Sequence, residues 1–165
     1  MKRRTLLTLA AAAMLSACGF QLRGSNGQTA LPFKTIYVGF PETSPLGTEL
    51  KRHIRASGDT DVVTDPTAAQ VILDVLSESR EKAVLSKNTQ GRVREYSLYY
   101  KLRFRVRDNK NNELLAPTDI ILKRDISFNE SQVMAKENEE ALLYRDMQSD
   151  LVQQMLRRLQ VLRLA

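Results

Sequence analysis

Cysteine and histidine, which build many metal and catalytic sites, occur only once each in this chain of 165 residues, and tryptophan does not occur. A single cysteine excludes an intrachain disulfide and any zinc or iron–sulfur site that needs several thiolates. A single histidine argues against a histidine-based metal site and against a catalytic triad. A domain of about 150 residues can bury roughly 70% of the surface of its unfolded chain, so it needs no disulfide to fold.

The sequence also lacks a glycine-rich phosphate loop and any evident pair of nucleophile and base. We therefore expect no catalytic residue, no metal site and no cofactor, and we do not expect an enzyme. What the chain does contain is typical of one globular domain, with 42% hydrophobic and 27% charged residues. Its 25 Lys and Arg exceed its 19 Asp and Glu, which gives a net charge of +6.

The N-terminus has the pattern of an export signal. Lys2, Arg3 and Arg4 form a basic start, and the apolar run 6–15 follows. A run of this length is too short to cross about 30 Å of hydrocarbon as a helix, so it predicts a secretory signal peptide over residues 1–17. The signal contains three of the 25 basic residues and no acidic residue, which leaves 22 against 19 in the mature chain. This small excess, together with export, argues against nucleic acid as a partner.

Cys18 ends the segment LSAC, which resembles the lipobox of bacterial lipoproteins. In such proteins the cysteine becomes the new N-terminus and carries covalent acyl chains, which would explain a lone cysteine in an exported protein. We therefore expect lipidation at Cys18, the only covalently bound lipid that the sequence predicts. Bacterial lipoproteins retained at the inner membrane commonly have Asp at the next position, so Gly19 favours the periplasmic side of the outer membrane. The alternative is a plain secreted protein in which Cys18 is incidental.

The mature chain divides into an acylated tether over residues 18–34 and a single domain over residues 35–165. Ser44 and Pro45 have the residue types of a helix N-cap and first helical position. A second, long amphipathic helix is predicted from Glu137 to Leu159, where acidic residues near the start would complement the helix dipole. The predicted strands cover residues 35–40, 61–64, 71–85, 95–108 and a segment after Pro117. This order predicts an α+β two-layer sandwich: a mixed, mainly four-stranded sheet with two helices on one face.

Strand 95–108 has a regular alternation of apolar and basic residues. Its cations are expected to share one face of the sheet: Lys101, Arg103, Arg105 and Arg107. This possible basic face has two interpretations, which the sequence leaves open. It is either a solvated surface paired with acids on neighbouring strands, or a surface that meets an acidic partner or an anionic lipid headgroup. A second basic group surrounds the predicted turn 88–91 and consists of Lys82, Lys87, Arg92 and Arg94.

Three segments carry a resemblance to a known family. LSACGFQLRG at the maturation site, REYSLYYKLRFRV in the alternating strand and AKENEEALLYRDM at the start of the last helix are similar to the lipopolysaccharide-assembly lipoprotein family LptE. The resemblance covers nearly the whole mature chain. It implies two helices on a four-stranded sheet, and a lipoprotein that plugs the outer-membrane β-barrel LptD in the translocon for lipopolysaccharide.

The resemblance also implies that basic residues bind lipopolysaccharide. Lys136 matches a lysine of the family motif, and the basic residue that relatives carry in the hairpin has Lys87 and Arg92 as its nearest counterparts here. Two other functions stay open: a purely structural plug or assembly chaperone for an outer-membrane barrel, and a stand-alone periplasmic lipid carrier.

Overall fold

The computed structural model describes residues 31–164, which form five strands and two helices. The predicted signal peptide 1–17, Cys18 and most of the predicted tether lie outside these residues. The elements are β1 (Thr35–Gly39), α1 (Pro45–Ala56), β2 (Asp61–Val63), β3 (Val71–Lys87), β4 (Val93–Asp108), β5 (Glu113–Ser127) and α2 (Val133–Gln160). Leu31 and Phe33, the last apolar residues of the predicted tether, are buried in the core of the domain.

The strands form one mixed sheet in the order β2-β1-β3-β4-β5. β1 lies parallel to both β2 and β3, whereas β3, β4 and β5 are successively antiparallel. The predicted α+β class with a mixed sheet is confirmed. The sheet has five strands rather than mainly four, because the three-residue β2 pairs with β1 at the edge.

Helix α1 begins where its sequence predicts. The Ser44 hydroxyl accepts a hydrogen bond from the Gly47 amide at 3.1 Å, and Pro45 occupies the first turn. Leu46, Leu50 and Ile54 recur at a spacing of four and are fully buried against the sheet.

β4 supplies the centre of the core. The alternating side chains of its apolar face are buried beneath the helices: Leu98, Tyr100, Leu102, Phe104 and Val106. The last four of these share the core with a stripe of α2 at helical spacing, formed by Met147, Leu151, Met155 and Leu159. The period-two pattern of the sequence therefore assigned the two faces of β4 correctly.

Two element boundaries differ from the sequence prediction. β5 starts at Glu113 rather than after Pro117, because an edge strand tolerates proline where the pairing with β4 shifts register. α2 starts at Val133, one turn before the predicted Glu137, and its first turn contains no acidic residue. The predicted complementation of the helix dipole by Glu137, Glu139 and Glu140 was therefore wrong, since these residues lie beyond the first turn.

Candidate functional site

β3 and β4 extend far beyond β1 and β2, and β5 stays paired with β4 along most of this length. β1 pairs with β3 only as far as Asp74, whereas β3 and β4 stay paired up to Lys87 and Val93. We call this projecting part, residues 76–100, the hairpin arm. The first half of α2 lies over its inner face, so the arm and the helix enclose the end of the sandwich that is farthest from Leu31.

The turn of the arm is fixed by its own sequence. The Asn88 side-chain oxygen accepts hydrogen bonds from the backbone amides of Gln90 at 3.0 Å and Arg92 at 2.8 Å. Gly91 adopts a φ of +80°, a conformation that glycine takes without steric cost. The predicted turn over residues 88–91 is confirmed, and it carries Lys87 and Arg92 on its two sides.

Lys136 lies in the first turns of α2 and is directed at the end of β5. Its ammonium donates to the Ser127 hydroxyl at 2.9 Å and to the Glu139 carboxylate at 2.8 Å. The Lys136 side chain is only 17% exposed, the smallest value among the ion-paired lysines that the structure describes. A charge this well covered is screened less by water than the charges of the lysines on the hairpin arm.

Lys82 approaches the same region from β3. Its ammonium donates to the Glu140 carboxylate at 2.6 Å and lies 4.4 Å from the centre of the Tyr96 ring. Tyr96 in turn packs edge-to-face against Phe128, with 5.3 Å between ring centres. Lys82 is thus held between a carboxylate of α2 and an aromatic pair of the sheet.

Between these groups lies a cavity of about 230 Å³, enclosed by the arm, the end of β5 and the first two turns of α2. We call it the Lys136 cavity. Its lining combines aromatic, aliphatic and charged side chains: Lys82, Tyr96, Ile126, Ser127, Phe128, Val133, Lys136, Glu137 and Glu140.

Lys87 and Arg92 lie outside this cavity but next to its walls. Lys87 is exposed and lines a groove that shares Ser127 with the Lys136 cavity. Arg92 pairs with Glu130 at 3.3 Å and lines a second groove, which shares Phe128 with the cavity. The three predicted cations therefore surround the end of β5 without meeting at one point.

A polar network holds α2 onto the arm. The Arg80 guanidinium lies between the rings of Tyr100 and Tyr144, 4.5 and 5.4 Å from their centres, and donates to Gln148 and to the Tyr100 hydroxyl. Tyr100 donates to Glu78 at 2.6 Å. Burial, reinforced by this carboxylate, raises the pKa of Tyr100 to about 12, so the phenol remains a hydrogen-bond donor even at moderately alkaline pH.

The predicted basic face is matched by acids on both neighbouring strands. Lys101 pairs with Glu81 at 2.7 Å and Arg103 lies 3.9 Å from Asp119. Arg105 and Arg107 both contact Asp74, at 3.0 and 2.8 Å. This geometry favours the ion-paired sheet surface over a face that waits for an acidic partner.

Asp74 is the electrostatic centre of that surface. Burial opposes its ionisation, but the hydrogen bonds and charges of Arg107 and Arg105 outweigh burial and lower the pKa of its carboxyl. The same contact raises the pKa of Arg107. The charges of Asp74, Arg105 and Arg107 are therefore paired with one another.

Other kinds of site find little support in residues 31–164. No three His, Cys, Asp or Glu side chains of that range are grouped so that they could hold a metal ion. His53 lies 4.0 Å from Glu49 on the same helix, at the boundary of the core. Neither described helix combines the length and the apolarity needed to cross a bilayer.

Sequence reasoning grouped Lys82 with the turn but missed the aromatic pair beneath it. Tyr96 lies two residues before Leu98 and so continues the alternation of β4. If the alternation had been extended two residues toward the N-terminus of the strand, it would have predicted that Tyr96 lies on the inner face. The contact between Tyr96 and Phe128 depends on the pairing of β4 with β5, which that alternation does not give.

Comparison with known proteins agrees with this architecture. The family profile described as LptE, Lipopolysaccharide-assembly, matches residues 33–159. The chain is 28% identical to the LPS-assembly lipoprotein LptE of Pectobacterium atrosepticum over 93% of this chain and 83% of the relative.

Solved structures of bacterial lipoproteins share the fold. The solution structure of lipoprotein B from Nitrosomonas europaea is 39% identical and superposes with a TM-score of 0.72 over 84% of this chain and 88% of the other. Rare lipoprotein B from Shewanella oneidensis is 26% identical, with a TM-score of 0.62 over 75% and 92% of the two chains.

Proposed function

Because the chain belongs to the lipopolysaccharide-assembly family LptE, we propose that it is an outer-membrane lipoprotein that binds lipopolysaccharide at its hairpin end and plugs the β-barrel LptD. The observation that carries the binding function is the ring of three cations, Lys136, Lys87 and Arg92, around the end of β5. Lipid A and the inner core carry phosphates, which divalent cations normally cross-link. Lys and Arg can replace those cations through charge-assisted hydrogen bonds, which would separate one lipid molecule from its neighbours.

The position of the tether supports this assignment. The described chain enters the domain at Leu31, beside the first residues of β1 and the end of α1. The hairpin turn lies at the other end of β3, whose 17 residues span roughly 55 Å at about 3.3 Å per residue. If Cys18 is acylated, the anchor therefore attaches at the end of the domain opposite the basic end, which leaves the basic end free to enter the lumen of a barrel.

The acylated N-terminus would supply the membrane attachment. Each buried acyl methylene contributes about 0.8 kcal/mol, and two chains are enough for stable anchoring. We propose that the protein carries out no enzymatic step and that LptD and lipopolysaccharide are its partners. Within the barrel, exclusion of bulk water would strengthen the contacts of the basic end.

The binding function is tested by charge reversal in the full acylated chain. Lys136→Asp combined with Lys87→Asp should weaken lipopolysaccharide binding at least tenfold, because charge-assisted hydrogen bonds contribute about 1.5–3 kcal/mol each. The matched control is Lys34→Asp with Lys110→Asp, which alters two exposed lysines at the opposite end of the sheet. Titration of lipopolysaccharide in mild detergent measures both, and wild-type affinity in the first pair would contradict the site.

Co-purification distinguishes the proposed function from the stand-alone lipid carrier and from the purely structural plug or assembly chaperone. A large β-barrel that co-purifies with the acylated protein excludes the stand-alone carrier. If the first pair of variants keeps its lipopolysaccharide affinity but loses the barrel, the protein is a structural plug or assembly chaperone instead.

A further inference from the structure

We infer that the Lys136 cavity is a phosphate subsite for an amphiphile, in which Lys82 and Lys136 bind the phosphate and Glu140 and Glu139 occupy the two lysines until it arrives. This inference rests on the function proposed above and adds Lys82, the aromatic floor and the competing carboxylates to it. Its elements are a cavity closed on three sides, two ammonium groups on lysine side chains that are 17% and 36% exposed, and an apolar wall.

The inner face of α2 changes character at this cavity. Farther along the helix, Met147, Leu151 and Met155 fill this face and are fully buried. In the first two turns the face carries Val133, Lys136, Glu137 and Glu140, at the same three- and four-residue steps. Ionisable residues at positions that otherwise build a core indicate a ligand site, because charge is costly to cover without a partner.

Lys82 reaches the cavity for a related reason. It is the cross-strand partner of Leu98, which is fully buried on the helix side of the sheet. Cross-strand partners point to the same face, so Lys82 lies between the layers. The two ammonium groups therefore enter the cavity from opposite walls, one from the sheet and one from the helix.

Both lysines retain donors for a ligand. An ammonium has three N–H groups. In the structure Lys82 donates to Glu140, and Lys136 donates to Ser127 and Glu139. A phosphate has several acceptor oxygens and could bridge two such groups, whereas the planar carboxylates each hold only one of them.

The rest of the lining explains why the ligand is an amphiphile. Tyr96, Phe128 and Ile126 give the cavity an apolar floor. At its rim Val133 remains 40% exposed. A phosphorylated sugar that bears acyl chains would place its phosphate on the lysines and its apolar parts on the floor and rim.

The carboxylates make the site reversible. Glu137, Glu139 and Glu140 place three negative charges near two lysines, so a phosphate that uses the remaining donors is repelled until carboxylates move aside. Glu139 is 49% exposed and can turn into solvent when it is displaced. A site on a transport route needs binding that is strong enough for entry but weak enough for release, and the glutamates provide this competition.

The decisive test removes the competitors. Glu139→Gln combined with Glu140→Gln should raise the affinity for lipopolysaccharide about three- to tenfold, since each removes a carboxylate that competes for a lysine. The matched control is Glu81→Gln with Asp119→Asn, which removes two negative charges from ion pairs on the other face of the sheet and should leave affinity unchanged.

A second pair of variants tests Lys82 separately. Lys82→Gln should weaken binding about fivefold to tenfold, and Lys82→Arg should restore most of it because it keeps the charge. Urea unfolding of each variant shows whether it is folded. If Lys82→Gln does not fold, the paired glutamate variants still decide the matter.

The choice of probe identifies the ligand group. Lipopolysaccharide, dephosphorylated lipopolysaccharide and inorganic phosphate are titrated in parallel. If the glutamate variants and Lys82→Gln change the affinity for lipopolysaccharide but not for the dephosphorylated lipid, the phosphate subsite is supported. If they change the affinity for both lipids equally, the phosphate subsite is overturned. Competition by millimolar inorganic phosphate alone would mean that the cavity recognises free phosphate and not a lipid.

The two proposals can fail separately. If wild-type protein does not bind lipopolysaccharide, the proposed function is wrong. If wild-type protein binds and Lys136→Asp weakens it, but neither the glutamate pair nor Lys82→Gln changes affinity, the subsite is wrong and the function stands.

Discussion

The two ends of the interface between helices and sheet are built from different side chains. At the core end, where β1 pairs with the first residues of β3, the layers meet through fully buried residues such as Ile36, Leu50 and Phe104. Along the hairpin arm the same two layers meet through Glu78, Arg80 and their hydrogen-bonded partners. The fold therefore separates a stabilising end from an end that keeps charged groups near solvent.

This difference has an energetic meaning. Burial of apolar area contributes roughly 25 cal/mol per Å², so the core end carries most of the stability. Hydrogen-bonded polar groups contribute only about 1 kcal/mol each, but they are costly when one partner is lost. The arm is consequently positioned by directional bonds, which suits a surface that must exchange its partners.

The largest expected loss of stability comes from a substitution at the core end. Phe104→Ala should lower the free energy of unfolding by about 4 kcal/mol, because it removes a fully buried ring and leaves a cavity. Val84→Ala in the arm, where Val84 is 48% exposed, should lower it by no more than about 0.5 kcal/mol. Urea unfolding measures both, and similar losses would remove the distinction between the two ends.

An intermediate loss of stability is expected where the core end meets the hairpin arm. Tyr100→Phe should lower the free energy of unfolding by about 1–2 kcal/mol, because Glu78 and Arg80 lose a hydrogen-bond partner inside the structure. Tyr99→Phe, on the outer face of the same strand, is the control and should change little.

The pH dependence follows from the same residue. The folded-state pKa of Tyr100, about 12, lies above its ordinary value of 10.0. Its contribution to stability is therefore fully present below pH 10 and is lost as the pH rises towards 12. Urea unfolding between pH 9 and 12 should show a smaller decline in Tyr100→Phe than in the wild type. An identical decline would contradict this account of the phenol.

The smallest effects belong to the outer face of the sheet. Asp74→Asn should cost about 1 kcal/mol, since Asp74 is only 23% exposed and holds two arginines. Asp119→Asn should cost about 0–0.5 kcal/mol, because both groups of its pair with Arg103 are more than half exposed.

Acid unfolding tests the contribution of the Asp74 carboxylate. The folded-state pKa of Asp74 is lowered, so its contribution is present above its ordinary value of 3.8 and is lost as the pH falls through the folded-state value. Asp74→Asn should therefore flatten the acid limb of stability below about pH 4 relative to the wild type. An unchanged acid limb would mean that the arginine contacts of Asp74 have no special weight.

Much of the fold follows from local sequence. The alternation in β4, the cap at Ser44 and the turn at Asn88 all depend on neighbouring residues, and the structure confirms them. The start of α2 was misjudged by one turn because Val133 and Met134 give a weak helical signal, with no capping side chain before them. The first part of β5 was missed because Pro117 normally argues against a strand. Proline is tolerated here because β5 is an edge strand, which the local sequence does not show.

The sequence by itself determined which residues alternate on each strand, where the helices carry their apolar stripes and how the charge is divided along the chain. Only the tertiary structure decided that Lys82 and Lys136, 54 positions apart in the chain, line one cavity above Tyr96. The tertiary structure also paired the basic face of β4 with acids from β3 and β5. The physical reason is that periodicity fixes the direction of a side chain, whereas its partner depends on the pairing of strands and the placement of α2, which are set by contacts between distant parts of the chain.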